Sequence, residues 1–399
     1  MKIINNDFKT IQLVSYHSAI DNKKDRAYRY LLSRLIVAQT NKYQTKLAMS
    51  VRLEALYGAL LSAKTELNGN INTIGVSLMI ADPKTVGDDQ LFDDAVAFFK
   101  SVIYDHDSFD QDIFEDEKRI LIEQWETLKD HKAAYASYKF NEIFRLPDLT
   151  GYPMTGTLSD VRKTTAKGLY AYYRDVFLND DMLVVINGHI VDESKLSALN
   201  HMSISKHLLF ETTFRKPRAL SSTYEETEMN QAIIKLGYTF PIYRFDDDYP
   251  EAMLTNVIIG GYPESRLFKI IREQEALCYD VSSSYDTYKG TLAVSAGVAI
   301  DREDDAKRAM IDLINQTIAE GITEDELQMA KGYVSHQLKA SMDHQSFFTK
   351  RAYYMYLTSF DESVESRIRR IQKITVEGVS LAMKRLYLDT VFVLKGKQS

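Results

Sequence analysis

The sequence predicts an α+β protein of two homologous domains, each with a mainly antiparallel sheet and helices packed on one face. Three observations predict this class. Short motifs repeat along the chain, each half contains two strand-like segments that meet at a glycine, and amphipathic helical segments follow each pair. With 399 residues, each half is long enough to bury a core of its own.

The strongest observation is a diverged internal repeat. Glu54-Ala55-Leu56 recurs as Glu275-Ala276-Leu277 after 221 residues, Asp130-His131 recurs as Asp343-His344 after 213, and later matches have offsets of 210 and 208. Loop-length changes after a duplication shift the offset step by step, so an offset that only falls is typical of a duplication. We therefore predict two homologous domains and a linker, with bounds at 1–205, 206–222 and 223–399.

Each half has the same order of predicted elements. An apolar helical segment is followed by a hairpin, by amphipathic and then highly charged helices, and by a closing apolar strand. In the first half we predict a helix at 28–38, hairpin strands at 60–67 and 71–80, and a charged helix at 112–129. In the second half we predict a helix at 250–259, hairpin strands at 279–288 and 291–300, and a charged helix at 324–342.

Composition excludes several functional classes. The formal net charge is −7 and no block of five basic residues occurs, which argues against nucleic acid or an anionic membrane as the main partner. A single cysteine, Cys278, excludes an intrachain disulfide and a thiolate zinc cage. Every apolar run is far shorter than the about 20 residues of a spanning helix, so we expect no membrane insertion and a cytoplasmic protein.

The segment from Gly260 to Tyr279 is the most specific candidate for function. Two glycines and a proline form a loop, and a helix is predicted to begin at Glu264 or Ser265. Arg272 and Tyr279 follow, seven residues apart, as two hydrogen-bond donors able to converge on a carbonyl oxygen. Judged alone, this pattern also fits an exposed arginine and a tyrosine of the core.

This segment resembles the pitrilysin/insulinase family of zinc metallopeptidases, which includes the mitochondrial processing peptidases. The family pattern G-G-x-x-S-R-L-F, followed by R-x-x-x-x-L-x-Y, marks the second of two homologous domains. The chain fits it almost throughout, with three residues rather than two between Gly261 and Ser265. The resemblance implies the processing-peptidase fold, in which such a chain forms half of a clamshell. It also implies that Arg272 and Tyr279 bind and position a peptide substrate.

The first half departs from the family at the metal site. No two of the eight histidines are four residues apart, so the H-x-x-E-H motif is absent. The resemblance places Tyr30 and Arg34 at the two histidine positions and Ser33 at the position of the general-base glutamate. Glu123 then takes the position of the third zinc ligand of the family. Because a catalytic zinc ion needs three protein ligands, we expect no metal and no other cofactor in this chain.

A chain that keeps the two donors but lacks the metal ligands resembles the non-catalytic member of bacterial two-subunit peptidases. The resemblance implies a homologous partner with an intact H-x-x-E-H motif and a zinc ion, acting on a peptide substrate. Two alternatives stay open: a purely structural or peptide-binding homologue without a role in proteolysis, and a hydrolase that uses other residues. Self-association into a homodimer in the absence of the partner also stays open.

Overall fold

The computed structural model describes residues 1–145, 151–190, 199, 202–212 and 216–397. Residues 213–215 of the predicted linker lie outside this set. The described residues form two five-stranded sheets with the same strand order, accompanied by helices. The predicted α+β class is confirmed, and the repeated order is what a duplicated chain produces.

In the first sheet the strand order is β1-β5-β2-β4-β3. The first strand runs parallel to the fifth, and the other neighbours are antiparallel. The strands are β1 (Lys2–Asn5), β2 (Thr10–Ile20), β3 (Leu60–Asn68), β4 (Ile71–Ala81) and β5 (Asp181–Gly188). The predicted hairpin is therefore present as β3 and β4, within one residue of its predicted bounds.

The second sheet repeats this arrangement as β6-β10-β7-β9-β8, with β6 parallel to β10. Its strands are β6 (Ser221–Thr227), β7 (Ala232–Thr239), β8 (Asp280–Asp286), β9 (Thr291–Val298) and β10 (Tyr387–Gly396). Gly69 and Gly290 lie in the corresponding hairpin turns, and both have φ of +56°. That left-handed backbone favours glycine, which explains why this residue persists in both copies.

The helices lie between these strands. Those of the first half are α1 (Lys23–Leu35), α2 (Lys46–Ala55), α3 (Pro83–Val86), α4 (Leu91–Tyr104), α5 (Gln111–Glu126), α6 (Lys132–Arg145), α7 (Leu158–Lys163) and α8 (Ala166–Asp175). Those of the second half are α9 (Tyr249–Asn256), two π-helices (Val257–Gly261 and Leu267–Gln274), α10 (Glu303–Glu320), α11 (Glu324–Ser341), α12 (Gln345–Thr358), α13 (Val364–Gln372) and α14 (Val376–Met383). None of the described helices combines the length and the apolar character needed to span a bilayer.

Packing divides the chain differently from the repeat. One compact unit contains Met1–Thr127, Tyr152–Glu211 and Ser341–Asp361, and the other contains the rest of the chain. Helix α12 therefore belongs with the first sheet and α6 with the second. The two helices begin 213 residues apart, at Lys132 and Gln345, so they are equivalent elements that have been exchanged between the halves. The predicted bounds of 1–205 and 223–399 describe the repeat, and the packing units cross them.

Helix α12 covers part of one face of the first sheet. The ring of Tyr353 is buried and stacks on Tyr16, with 4.1 Å between the ring centroids, and its hydroxyl shares a 2.8 Å hydrogen bond with that of Ser18. At the start of the helix, the side-chain amide of Gln345 donates to the backbone carbonyl of Asn187 at 2.6 Å. The face opposite to the main helical layer is thus covered by a helix from the other half of the sequence.

Helix α6 covers the second sheet in the same way. Phe140 and Phe144 pack with Ile233 and Phe392, all of them buried. Gly237 makes this contact possible, because a Cβ atom there would lie 2.6 Å from the ring of Phe144. The glycine is required by the close approach of the helix to the strand.

Candidate functional site

Helix α1 carries Tyr30, Ser33 and Arg34, the positions that the family resemblance assigns to the metal motif. The helix begins after Asn22, whose side chain accepts a hydrogen bond from the backbone N–H of Lys24, and its apolar stripe is buried in the first core. Ser33 is buried and donates its hydroxyl proton to the carbonyl of Tyr30 at 2.7 Å. The Arg34 side chain is half exposed and points toward helix α5.

Two cations hold the carboxylate of Glu117, which lies on α5. Arg34 Nε is 3.0 Å from Glu117 Oε2, and Lys46 Nζ is 2.8 Å from Glu117 Oε1. Burial of the carboxyl tends to raise its pKa, but the hydrogen bonds from Lys46 and Arg34 outweigh this effect and lower the pKa of Glu117. The carboxylate is therefore ionised at neutral pH, and both of its oxygens are occupied by cations.

Glu117, rather than the predicted Glu123, is the carboxylate that faces Arg34. Glu123 is exposed and pairs with Arg119 of its own helix at 2.8 Å. Because six residues rotate a helix by about 240° from one side chain to the other, Glu117 and Glu123 cannot share a face. Phe114, Glu117 and Leu121 lie at helical spacing on one buried stripe of α5. This spacing could have identified Glu117 as the inward-facing carboxylate from the sequence.

The side chains at these positions do not fit a zinc ion. A phenol, a serine hydroxyl and a guanidinium stand where two imidazoles and a carboxylate are needed, and the nearest carboxylate is already neutralised. Across the part of the chain that the structure describes, no three His, Cys, Asp or Glu side chains are grouped so as to hold a metal ion.

Arg272 lies on the second π-helix, where an ordinary helix had been predicted. Leu267 and Ile271 are buried, and the turn closes through a 2.9 Å hydrogen bond from Glu275 N–H to the carbonyl of Ile270, five residues earlier. π-helical turns are rare and occur frequently at functional sites. Phe268 is half buried, and the guanidinium of Arg272 lies 4.4 Å from its ring centroid.

Tyr279 directly precedes the edge strand β8. Its backbone N–H donates to the carbonyl of Gly297 at 2.8 Å, while its side chain is 64% exposed. Arg272 is also exposed. The alternative of a tyrosine in the core is therefore wrong, and both donors are accessible to a ligand. Between them, the thiol of Cys278 is buried, and burial raises its pKa to about 11, so it stays protonated at neutral pH.

The sequence matches a family model described as the Peptidase M16 inactive domain over residues 163–333. This match includes both π-helices, the two donors and the β8–β9 hairpin. Together with the relatives below, it confirms the resemblance predicted from the sequence: the chain is similar to inactive members of the pitrilysin (M16) peptidase family.

Individual relatives cover nearly the whole chain. A curated protein of Bacillus subtilis strain 168, the "Probable inactive metalloprotease YmfF", is 22% identical over 407 residues, covering 98% of this chain and 94% of that protein. A conserved protein of Enterococcus faecalis V583 has a solved structure with a TM-score of 0.92 at 24% identity, covering 100% of this chain and 96% of the other. A peptidase M16 inactive domain of Pseudomonas fluorescens gives a TM-score of 0.82 at 17% identity, with the same coverage.

Proposed function

We propose that this chain is the non-catalytic, peptide-positioning subunit of a heteromeric zinc metallopeptidase. Its partner would be a homologous subunit with an intact H-x-x-E-H motif, and the zinc ion would belong to that partner. The contrast between the two halves carries the proposal. In the first half, Arg34 and Lys46 occupy the carboxylate nearest to the metal-motif positions. In the second half, the donors Arg272 and Tyr279 are exposed.

Arg272 and Tyr279 would act on the substrate as hydrogen-bond donors. A guanidinium is always charged and offers several N–H groups, and a phenol offers one O–H group, so both suit a peptide carbonyl oxygen that gains negative charge. The π-helix and the backbone bond of Tyr279 hold the two residues without burying them. Neither the Arg272 side chain nor the Tyr279 side chain is buried in the core, so both are available for a ligand.

The experiment compares peptide hydrolysis by the partner subunit alone and by the mixed complex. We expect the mixture to cleave a peptide library that neither subunit cleaves alone. Arg272→Ala or Tyr279→Phe should reduce turnover by the complex on the order of 100-fold, the usual cost of removing an oxyanion-type donor. Folding and co-purification with the partner should stay near normal, because both side chains are exposed.

Arg162→Ala is the matched control. Arg162 is an exposed arginine paired with Glu126 on the surface, and its loss should leave turnover unchanged. Full activity of a correctly assembled Arg272→Ala complex would overturn peptide positioning and favour a purely structural or peptide-binding homologue. Cleavage by the purified chain alone would instead favour a hydrolase that uses other residues.

A further inference from the structure

The aromatic ring of Phe268 lies next to the guanidinium of Arg272. The two residues share one face of the second π-helix, and 4.4 Å separates the guanidinium carbon from the centroid of the ring. A cation within about 6 Å of a ring centroid is attracted by the electron-rich face of the ring. Among the residues that the structure describes, none forms an ion pair or a hydrogen bond with this guanidinium. The ring is therefore the contact that restrains the Arg272 side chain.

The helix that carries this pair is fixed on two sides. Arg266 precedes the helix, and its Nε and Nη2 donate to the two carboxylate oxygens of Glu326 at 2.6 and 2.8 Å. Paired bonds between a guanidinium and a carboxylate hold both groups in a defined orientation. On the inner side, Leu267 and Ile271 are buried in the core of the second sheet. The ring and the guanidinium therefore extend from a helix that is not free to rotate.

The core does not require an aromatic ring at position 268. Phe268 is half buried, and the core cluster of the second sheet does not include it. The internal repeat supplies a comparison, since its offset of 221 residues relates Phe268 to Leu47 and Arg272 to Val51. Leu47 and Val51 are 74% and 56% exposed on α2. The first half thus forms the counterpart helix with neither a ring nor a cation, so folding does not explain the pair in the second half.

The ring restrains Arg272 without using its hydrogen-bond donors. Attraction to an aromatic face depends on the positive charge, whereas a carboxylate partner accepts the N–H groups themselves. Arg34 illustrates the second case, because its Nε donates to Glu117. Arg272 keeps its N–H groups for an external acceptor such as a peptide carbonyl. A guanidinium that is restrained before the peptide arrives loses less conformational entropy on binding.

We propose that Phe268 is a positioning residue, which holds the guanidinium of Arg272 in the orientation that receives a peptide carbonyl oxygen. Phe268 acts through Arg272 and does not itself bind the reacting group. This assignment rests on the proposed function, because Arg272 contacts a peptide only if the chain positions one. The contact between the ring and the guanidinium is testable without a partner, and its effect on turnover is testable in the complex.

Nuclear magnetic resonance of the isolated full chain, with isotope-labelled arginine, tests the contact. Protons near the face of an aromatic ring resonate upfield of their usual positions. The Arg272 side-chain resonances, assigned by their loss in Arg272→Lys, should show this shift in the wild type and in Phe268→Tyr. Phe268→Leu should remove the shift, and leucine suits the helix because Leu47 occupies the counterpart position. Arg272 resonances that stay the same in Phe268→Leu would overturn the proposal.

Peptide hydrolysis by the mixed complex tests the role. Phe268→Leu should lower kcat/KM about two- to fivefold, the factor that corresponds to a cation–π attraction at an exposed site. Phe268→Tyr keeps the ring and should restore the rate that Phe268→Leu loses. In an Arg272→Ala background, Phe268→Leu should cause no further loss, because a residue that acts through the guanidinium has no effect once that group is absent. An equal loss in both backgrounds would overturn positioning and would mean that the ring contacts the peptide directly.

Phe360→Leu is the matched control. Phe360 is a phenylalanine of the first compact unit that is 39% exposed, and its replacement should leave the Arg272 resonances and the turnover unchanged. Full activity of Arg272→Ala would overturn the proposed function and the role of Phe268 in it. Full activity of Phe268→Leu, in a complex that Arg272→Ala inactivates, would overturn only the role of Phe268.

Discussion

At the scale of single residues, Arg34 and Lys46 decide what the carboxylate of Glu117 can bind. Their charges occupy both oxygens of Glu117, so a second cation would meet repulsion and no free ligand atom. The carboxylate is buried, whereas the two cations are half exposed, so the cluster contributes a modest amount to stability.

Glu117→Gln should lower the free energy of unfolding by about 1 kcal/mol at neutral pH, because it removes the charge that both cations face. The folded-state pKa of Glu117 lies below its ordinary value of 4.5. Its contribution is therefore complete above that value and is lost as the pH falls through the lowered pKa. Urea unfolding across this range should show the wild-type advantage shrinking in acid.

Glu123→Gln is the control for this prediction. Glu123 forms an exposed pair with Arg119, so its loss should change stability by less than about 0.5 kcal/mol at every pH. A larger effect for Glu123→Gln than for Glu117→Gln would contradict the assignment of Glu117 as the partner of Arg34.

Zinc should be absent from the purified chain in stoichiometric amounts. The cations beside Glu117 and the missing imidazoles leave no set of ligands at this position. Elemental analysis should give far less than one zinc per chain, and a chelator should leave the thermal midpoint unchanged. One tightly bound zinc, lost on Glu117→Gln, would refute this interpretation.

At the scale of elements, the first π-helix packs closely on the hairpin of the second half. A Cβ atom at Gly260 would lie 2.9 Å from the backbone nitrogen of Ser283 in β8 and equally close to the side chain of Leu267. Ser283 Oγ also donates to the carbonyl of Asn256 at 3.0 Å, which joins the helical segment to the strand. This contact fixes the segment that carries the donors against the sheet.

Gly260→Ala should therefore destabilise the chain by about 1–3 kcal/mol, because neither backbone can move without disturbing the other. Gly332→Ala in α11 is the matched control. A Cβ atom there meets nothing within 4 Å, so alanine should stabilise the helix by about 0.5–1 kcal/mol. Denaturant unfolding measures both changes, and equal effects would show that the close approach at Gly260 is not limiting.

At the scale of the whole molecule, the exchange of α6 and α12 makes each sheet depend on both halves of the sequence. Without α12, an apolar face of the first sheet that includes Val14, Tyr16 and Leu183 would be exposed. Without α6, the same would happen to Ile233 and Phe392 in the second sheet. Exposed apolar surfaces of this kind favour aggregation.

Fragments 1–205 and 206–399 should each be unfolded or insoluble when expressed alone, and should give soluble protein when co-expressed. Each fragment lacks the helix that covers one face of its sheet. Solubility and cooperative thermal unfolding are the measurements. A fragment 1–205 that unfolds cooperatively near the midpoint of the full chain would show that the exchanged helices contribute little.

Local patterns predicted much of this molecule. The falling offset of the repeated motifs predicted two equivalent sheets. The turns at Gly69 and Gly290 predicted both hairpins, the first within one residue of its bounds and the second within two. The charged helix of the second half, predicted at 324–342, is α11. These features depend on neighbours within a few residues, where hydrophobic periodicity and turn chemistry act directly.

By itself, the sequence determined the repeat, the hairpins and the absence of an H-x-x-E-H motif, and it predicts Arg272 and Tyr279 as a donor pair. Only the tertiary structure decided that Glu117 rather than Glu123 faces Arg34, that α6 and α12 cover the opposite sheets, and that a π-helix carries Arg272. The physical reason is the range of the interactions. A motif or a turn depends on residues that are close in sequence. The ion pair of Arg34 and Glu117, which are 83 residues apart, and the packing of a helix on a distant sheet depend on which surfaces meet after folding.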